Sequence, residues 1–471
     1  MQLMALGKNE SGDLLFPAVA EDALVQALTA GLERNAAALK RTAREIERGV
    51  AFRGEVTRRV QDAGDPRESG WTFAVSSTNP RRNEIIEILK PLAELRGMEN
   101  PLEPLLFDGV SEDLWGDWLQ DSYYARELEG KRVPHYVLFV GAPRELPFRL
   151  QSLMDSVANV GRLDFDQLED LERYVKKIIR LEGAAEPVVG RDVILFGTDG
   201  GAQDPTYFSR EYMVKPLADY IENELKFRTS RLMGDDATKA KLTAKLRSLK
   251  PAVVYTASHG LGLPDQPLER QKALNGAICC QSSGALTLAD LFSADDVPTG
   301  QAFLEGAVFF QFACFGYGTP AESDFSHWLT GMTGKCATED FTAALPKRLL
   351  GLERGPIAFV GHVDTAFLHG FTDPHEPHLL ERWSNRIQPF VHAVDQLLSV
   401  QPSGLAMNGM NRKYSIANAL LTTVYDRQRR GTLTWTPESS RRFVDNWIFR
   451  SDAQNYLVFG DPAARLRVPD A

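Results

Sequence analysis

From residue 193 onward, five short apolar runs each stop abruptly at glycine and polar residues. They lie at 193–196, 252–255, 307–312, 357–360 and 456–459. The residues that follow are Gly197-Thr-Asp-Gly-Gly, Ser258-His-Gly-Leu-Gly, Cys314-Phe-Gly-Tyr-Gly, Gly361-His-Val-Asp and Gly460-Asp-Pro. A run that is apolar at nearly every position reads as a strand buried on both faces, which is the pattern of a parallel sheet covered by helices. In open sheets of that kind, ligands and catalytic groups gather just beyond the carboxyl ends of the strands. The polar punctuation therefore falls where a site belongs.

Upstream, the same alternation is present in weaker form. A β-type run at 71–75 precedes apolar residues at helical spacing over 82–96, where Pro91 is expected to kink or split the helix. Residues 136–140 read as another strand and 168–179 as a helix, so the class is α/β. Residues 21–48, rich in Ala, Leu, Glu and Arg, read as one or two amphipathic helices, and the polar stretch 61–70 as a boundary. Three segments are expected: helical residues 1–65, a small α/β subdomain at 66–187 and a catalytic domain at 188–471. No repeat or low-complexity segment interrupts them.

With 471 residues, 43% hydrophobic and 25% charged, the chain has the composition of a folded soluble protein and no long apolar run of the kind that spans a bilayer. Its formal net charge of -10 opposes a general affinity for nucleic acid or anionic lipid. The first residues lack a basic region followed by an apolar one, so the cytoplasm is the expected compartment. Four cysteines, Cys279, Cys280, Cys314 and Cys336, are too few in this length for a disulfide framework, which leaves reduced thiols and room for a catalytic one.

Two residues stand where chemistry is expected. His259 follows one apolar run and precedes Gly260; Cys314 ends another. If those strands are neighbours, thiol and imidazole share a cleft. A thiol of ordinary pKa is only a few per cent thiolate at neutral pH, and a nearby histidine raises the reactive fraction or protonates a leaving amine. The backbone N–H groups of Gly260 and Cys314 are placed to hold a developing oxyanion. No clear third member is evident, and none is strictly required. Either residue alone is an ordinary packing position; the ordered pair is much rarer.

The order His-Gly, then Ala-Cys, each after an apolar run, resembles the signature of clan CD cysteine peptidases: caspases, gingipains, separases and CHAT-type proteases. Caspases carry Gln-Ala-Cys-x-Gly about 50 residues after the histidine. Here Ala313-Cys314-Phe315-Gly316 follows His259, with Cys314 55 positions beyond His259, and Phe312 displaces the glutamine to Gln311. The likeness is nearer to the gingipain-like and CHAT-like bacterial proteases. It runs from about His135 to Leu466 and includes Tyr136-Val-Leu-Phe-Val-Gly-Ala-Pro143, Val160-Gly161-Arg162, Gly355-Pro-Ile-Ala-Phe-Val-Gly-His-Val-Asp364 and Tyr456-Leu-Val-Phe-Gly-Asp-Pro462. The resemblance implies a caspase-like (caspase-hemoglobinase) α/β sandwich with a mostly parallel sheet, preceded by a smaller α/β subdomain. It also implies that His259 and Cys314 form the dyad of an endopeptidase acting on protein substrates through a thioester, with no cofactor and no metal.

By the same resemblance Phe367 falls at a wall of the S1 pocket, with Asp364 nearby and Asp204 in the loop after 193–196. A carboxylate there favours Arg or Lys at P1. Arg210, where related proteases place an S1 charge, favours an acidic P1 instead; the basic preference is the leading expectation. His362 is a rival base on the strand after the nucleophile. His375-Glu-Pro-His378 is broken by Pro377 and reads as a solvated loop instead of a metal site. Gly197-Thr-Asp-Gly-Gly lacks the lysine of a phosphate loop.

The insert 263–305, rich in Pro, Asp and Ser, is expected to be an exposed loop open to nicking, which suggests a zymogen cut by an upstream protease. A constitutive peptidase is the competing expectation. A role in a bacterial signalling or defence cascade comes from resemblance alone. The rival readings are a catalytically silent interaction scaffold and a cysteine amidase or acyltransferase on small substrates.

Overall fold

The computed structural model describes residues 2–15, 19–20, 62–98, 102–282, 284–325, 335–371 and 386–469. The expected helices at 21–48 and the pair His375 and His378 lie outside the described residues. Among those described, ten strands form one sheet. Their spatial order is Leu105–Phe107, Trp71–Ser76, Tyr136–Val140, Asn159–Leu163, Tyr456–Gly460, Ala358–His362, Val308–Phe312, Val253–Ala257, Asp192–Gly197 and Arg228–Met233. All five apolar runs read from the sequence are strands of it.

Every neighbouring pair is parallel except Tyr456–Gly460 against Ala358–His362. The sheet is thus two parallel halves joined at one antiparallel seam, and the carboxyl ends of the two halves open on opposite edges. This is the mostly parallel α/β architecture expected from the sequence. Strands from the stretches 66–187 and 188–471 share the one sheet.

Alternation along the strands sorts side chains to the two faces. Phe73, Tyr136, Leu138 and Val140 join Ile85, Leu89 and Leu92 of helix Arg82–Leu95 and Leu171, Val175 and Ile178 of helix Leu168–Glu182 in one core. Ala74, Val137 and Phe139 join Trp115, Trp118, Tyr123 and Leu150 in another. Each such fully buried side chain contributes roughly 1.5–3 kcal/mol. Pro91 does not split its helix. It lies on the exposed face, where the carbonyl it leaves unpaired can meet water, while Leu89 and Leu92 on either side anchor the buried face.

The seam is tied to the amino-terminal half through Asp461. Its carboxylate accepts from Trp71 Nε1 at 2.9 Å and from Arg96 Nε at 2.9 Å, and Arg96 also reaches Glu182 at 2.6 Å. The guanidinium is held firmly protonated: burial works against its charge, but the two carboxylates outweigh it.

The insert 263–305 differs from the exposed loop expected of it. It forms helix Leu268–Leu274 and strands Ile278–Cys279 and Leu291–Phe292, which pair in turn with His259–Leu261. Ile278, Cys279, Cys280, Leu291 and Phe292 are buried. The apolar run within the insert outweighs its polar composition because it has an edge to pair with. Gly7–Lys8 completes this second, four-stranded sheet on the other side of His259–Leu261.

Candidate active site

Val253–Ala257 and Val308–Phe312 are adjacent parallel strands in register, Ala257 opposite Phe312. The residues that follow them therefore leave the sheet at the same edge. Ser258 still donates its N–H to Phe312 O at 3.2 Å, and the chain then enters the small sheet as His259–Leu261. This places His259 and Cys314 at one edge, both buried, with 3% and 0% of their surface exposed.

The two turns interlock tightly. A Cβ on Gly260 would stand 1.9 Å from Cys314 O, so only glycine admits the Cys314 backbone at that distance. Phe315, directly after the cysteine, has φ of 58°, a left-handed conformation rare for a bulky residue. It is held there by its N–H bond to Asp364 O at 2.8 Å. Asp364 is itself left-handed, with φ of 69°. Backbone strain of this kind, on the order of 1–3 kcal/mol per residue, concentrates at functional sites.

The ring of His259 is oriented by Asp204. Nε2 lies 2.9 Å from both carboxylate oxygens, so it donates and leaves Nδ1 to exchange a proton. Nδ1 is buried with no hydrogen-bond partner in good geometry. Asp204 is the amino-terminal cap of helix Pro205–Ser209 and also accepts from Thr206 N at 2.9 Å. Burial acts to raise its pKa, but the bond and charge of His259 and the Thr206 donors outweigh that and hold the carboxyl below the usual range. Burial lowers the imidazole's pKa, with Asp204 offsetting part of the effect. Burial likewise pushes the Cys314 thiol well up. At rest the pair is a neutral thiol and a neutral imidazole beside an ionised carboxylate.

The sulfur of Cys314 accepts from Ala366 N at 3.2 Å. The backbone N–H groups of Gly260 and Cys314, expected to hold an oxyanion, both donate to one acceptor, Leu6 O, at 2.9 and 3.3 Å. Nothing in the sequence pointed to Leu6. The Asp-Pro pair at 204–205, an amino-terminal helix signal just beyond a strand end, could have located the carboxylate beside His259.

The charged residues expected in an S1 pocket are engaged within the chain. Asp204 is engaged by the imidazole. Asp364 accepts from Ser323 Oγ and Asp324 N, each at 2.9 Å, and from Thr365 N at 2.7 Å, so its carboxylate fastens its own loops. Burial, then the nearby Asp324, pushes its pKa up to about 6. Arg210 pairs with Asp199 and Glu211 at 3.0 and 2.7 Å. Phe367 is buried: its backbone pairs with Ala5, and its ring packs on Phe325 with centroids 4.4 Å apart. His362 is fully buried, with Nδ1 3.2 Å from Asp364 O and its ring edge-on to Tyr456.

No group of three or more His, Cys, Asp or Glu side chains among the described residues could hold a metal. No described helix is long and apolar enough to cross a membrane.

No protein-family model matches the chain, and no curated protein matches it. Among solved structures, the chain is similar to the Arg-specific cysteine proteinase gingipain R (RgpB), at 13% identity over 84% of this chain and 78% of that one, with a TM-score of 0.48. It is similar also to the complex of the Porphyromonas gingivalis RgpB pro- and mature domains, at 12% identity over 84% and 79%, with a TM-score of 0.47.

Proposed function

We propose that the protein is a cysteine endopeptidase in which Cys314 is the nucleophile, His259 the proton carrier and Asp204 the group that orients His259. The observation that carries this reading is the convergence of the Gly260 and Cys314 N–H groups on a single carbonyl oxygen beside the thiol. Two fixed donors at that point stabilise the oxyanion of an acyl transfer, each contributing typically a few kcal/mol.

In the reaction, Nδ1 of His259 takes the thiol proton as sulfur attacks the substrate carbonyl, and the two N–H groups hold the oxyanion. The proton passes to the leaving amine as the C–N bond breaks, which leaves a thioester. Water then attacks the thioester, giving up a proton to His259, and the thiol is restored. No cofactor enters these steps.

The substrates we propose are proteins, because the backbone of 366–368 offers an extended peptide a strand to pair with, the means by which many peptide grooves gain affinity. A basic P1 preference has little support, since Asp204 and Asp364 are both engaged within the chain. The compartment we propose is the cytoplasm, consistent with four buried free cysteines. Service in a signalling or defence cascade rests on the sequence resemblance alone.

The test is hydrolysis of a pooled peptide library by wild type, Cys314→Ala and His259→Ala. Cleavage should vanish in both variants. Undiminished cleavage in either would remove that residue from the dyad and favour a different site.

A further inference from the structure

The groove beside Cys314 is filled by the chain itself. Residues 4–6 run antiparallel to 366–368: Leu6 N–H donates to Ala366 O at 3.0 Å, Leu368 N–H donates to Met4 O at 3.1 Å, and Ala5 stands opposite Phe367. Beyond Leu6 the segment changes walls and pairs parallel to 260–262, with Gly262 N–H donating to Lys8 O at 2.9 Å. It is anchored further on by Leu15 N–H to Gly7 O at 2.9 Å.

Of the carbonyls in this segment, that of Leu6 meets both oxyanion donors. The next residue is glycine, and a Cβ there would stand 3.3 Å from the Cys314 sulfur and 2.7 Å from Leu15. The Leu6–Gly7 peptide bond therefore lies against the nucleophile, its oxygen already where a tetrahedral intermediate needs it. The Gly260 bond is a rung of the parallel ladder with Gly7–Lys8, but the bond from Cys314 N–H at 3.3 Å lies outside that ladder, so sheet pairing alone does not account for it. The Leu6 side chain is fully buried, and Lys8 reaches toward Asp204 at 3.9 Å.

Resting on the peptidase reading above, we propose that residues 4–8 are the chain's own first substrate. Leu6–Gly7 is the bond that Cys314 cuts, and the pocket holding Leu6 selects an aliphatic P1 residue. Until that cut, the segment keeps other substrates out. Cys314 sulfur bonds to the Leu6 carbonyl carbon, the bond to Gly7 nitrogen breaks, and Gly7 leaves as an amine with the proton carried by His259. Water hydrolyses the thioester and releases the peptide that ends in the Leu6 carboxylate. The hairpin that begins at Gly7 remains with the enzyme, and the freed groove can take an external chain in the same register.

Purified wild type, Cys314→Ala and Leu6→Asp would be incubated and followed by intact mass and amino-terminal sequencing. Hydrolysis of blocked Met-Ala-Leu and Met-Ala-Arg coumarin amides would be recorded at the same times. Wild type should acquire Gly7 as a new amino terminus, with peptidase activity rising on the same time course and the leucine substrate turned over at least tenfold faster. Cys314→Ala should stay whole. Leu6→Asp should stay uncut at this bond, while its thiol reacts faster with iodoacetamide than that of the uncut Cys314 wild type. Wild type that stays whole at Leu6 while hydrolysing added peptides overturns the self-substrate proposal and leaves the peptidase reading standing. So does a cut at Leu6 that persists in Cys314→Ala. If no chain is cut and no peptide is hydrolysed although Leu6→Asp exposes a reactive Cys314, the peptidase reading itself falls.

Discussion

Nε2 of His259 sits 2.9 Å from both carboxylate oxygens of Asp204, a residue 55 positions earlier in the chain that caps a separate helix. The bond fixes the tautomer and orientation of a buried ring whose other nitrogen makes no hydrogen bond in good geometry, although the Leu6 backbone lies near enough to favour the protonated ring. Asp204 is a positioning residue in this arrangement. Asp204→Asn should lower kcat/KM about 100-fold or more, within the range typical of general acid–base contributions, with KM little changed. Because Asp204 raises the imidazole's pKa, its removal should also move the acid limb of the rate profile to lower pH. A merely structural role would leave that limb in place, so the pH dependence of kcat/KM for the two proteins decides the matter.

Burial sets the protonation of the pair, and the sign of the pH dependence follows. The imidazole's pKa lies below the ordinary 6.5, and the base works only when neutral, so activity should be retained at neutral pH and lost as pH falls below 6.5. The thiol's pKa lies well above the ordinary 9.0, so alkylation of Cys314 in the intact chain should stay slow through neutral pH and accelerate only in alkaline solution. Iodoacetamide labelling followed by peptide mass mapping across that range checks both the slope and the residue.

Gly260→Ala places a methyl group 1.9 Å from the backbone oxygen of Cys314, where no flexible side chain can give way. Overpacking of this kind costs about 1–3 kcal/mol or more. Displacing the oxyanion donors should also cut kcat by about 100-fold or more. Gly284→Ala is the matched control, since nothing lies within 4 Å of its added Cβ. Thermal unfolding of the two variants should show a lower Tm for the first and little change for the second.

Asp364 separates two views of the groove. Its pKa is raised to about 6 in the fold against an ordinary 3.8, so its favourable contribution is fully present below 3.8 and lost as pH rises through about 6. Asp364→Asn has no such titration. Its stability relative to wild type should therefore rise between acid and neutral pH by on the order of 2–3 kcal/mol, measured by denaturant titration. If the carboxylate fastens loops only, the ratio of leucine to arginine hydrolysis at P1 should not change in the variant; a collapse of arginine hydrolysis would restore Asp364 to the pocket.

What the sequence determined by itself was the sheet and the placement of His259 and Cys314 at its edge. Five apolar runs with abrupt polar ends admit little other than covered strands, and His259 and Cys314 followed from their positions at two of those ends. Parallel pairing in register was enough to bring them to one edge, because strands of like direction deliver their carboxyl ends together. The sequence could not show which distant residues would close around that edge. Asp204 was read as a pocket carboxylate because only the position of helix Pro205–Ser209 relative to His259 turns it toward the ring. Asp364 looked like a binding charge until Ser323, Asp324 and Thr365 were seen to satisfy it. The insert 263–305 read as a loop because its composition is polar, and the edge of His259–Leu261 that makes strands of Ile278–Cys279 exists only in three dimensions. Leu6 carries no local signal at all. Its place on the two donors is a backbone relationship between residues more than 250 positions apart, set by which sheet edge was open to accept residues 4–8, and only the folded chain decides that.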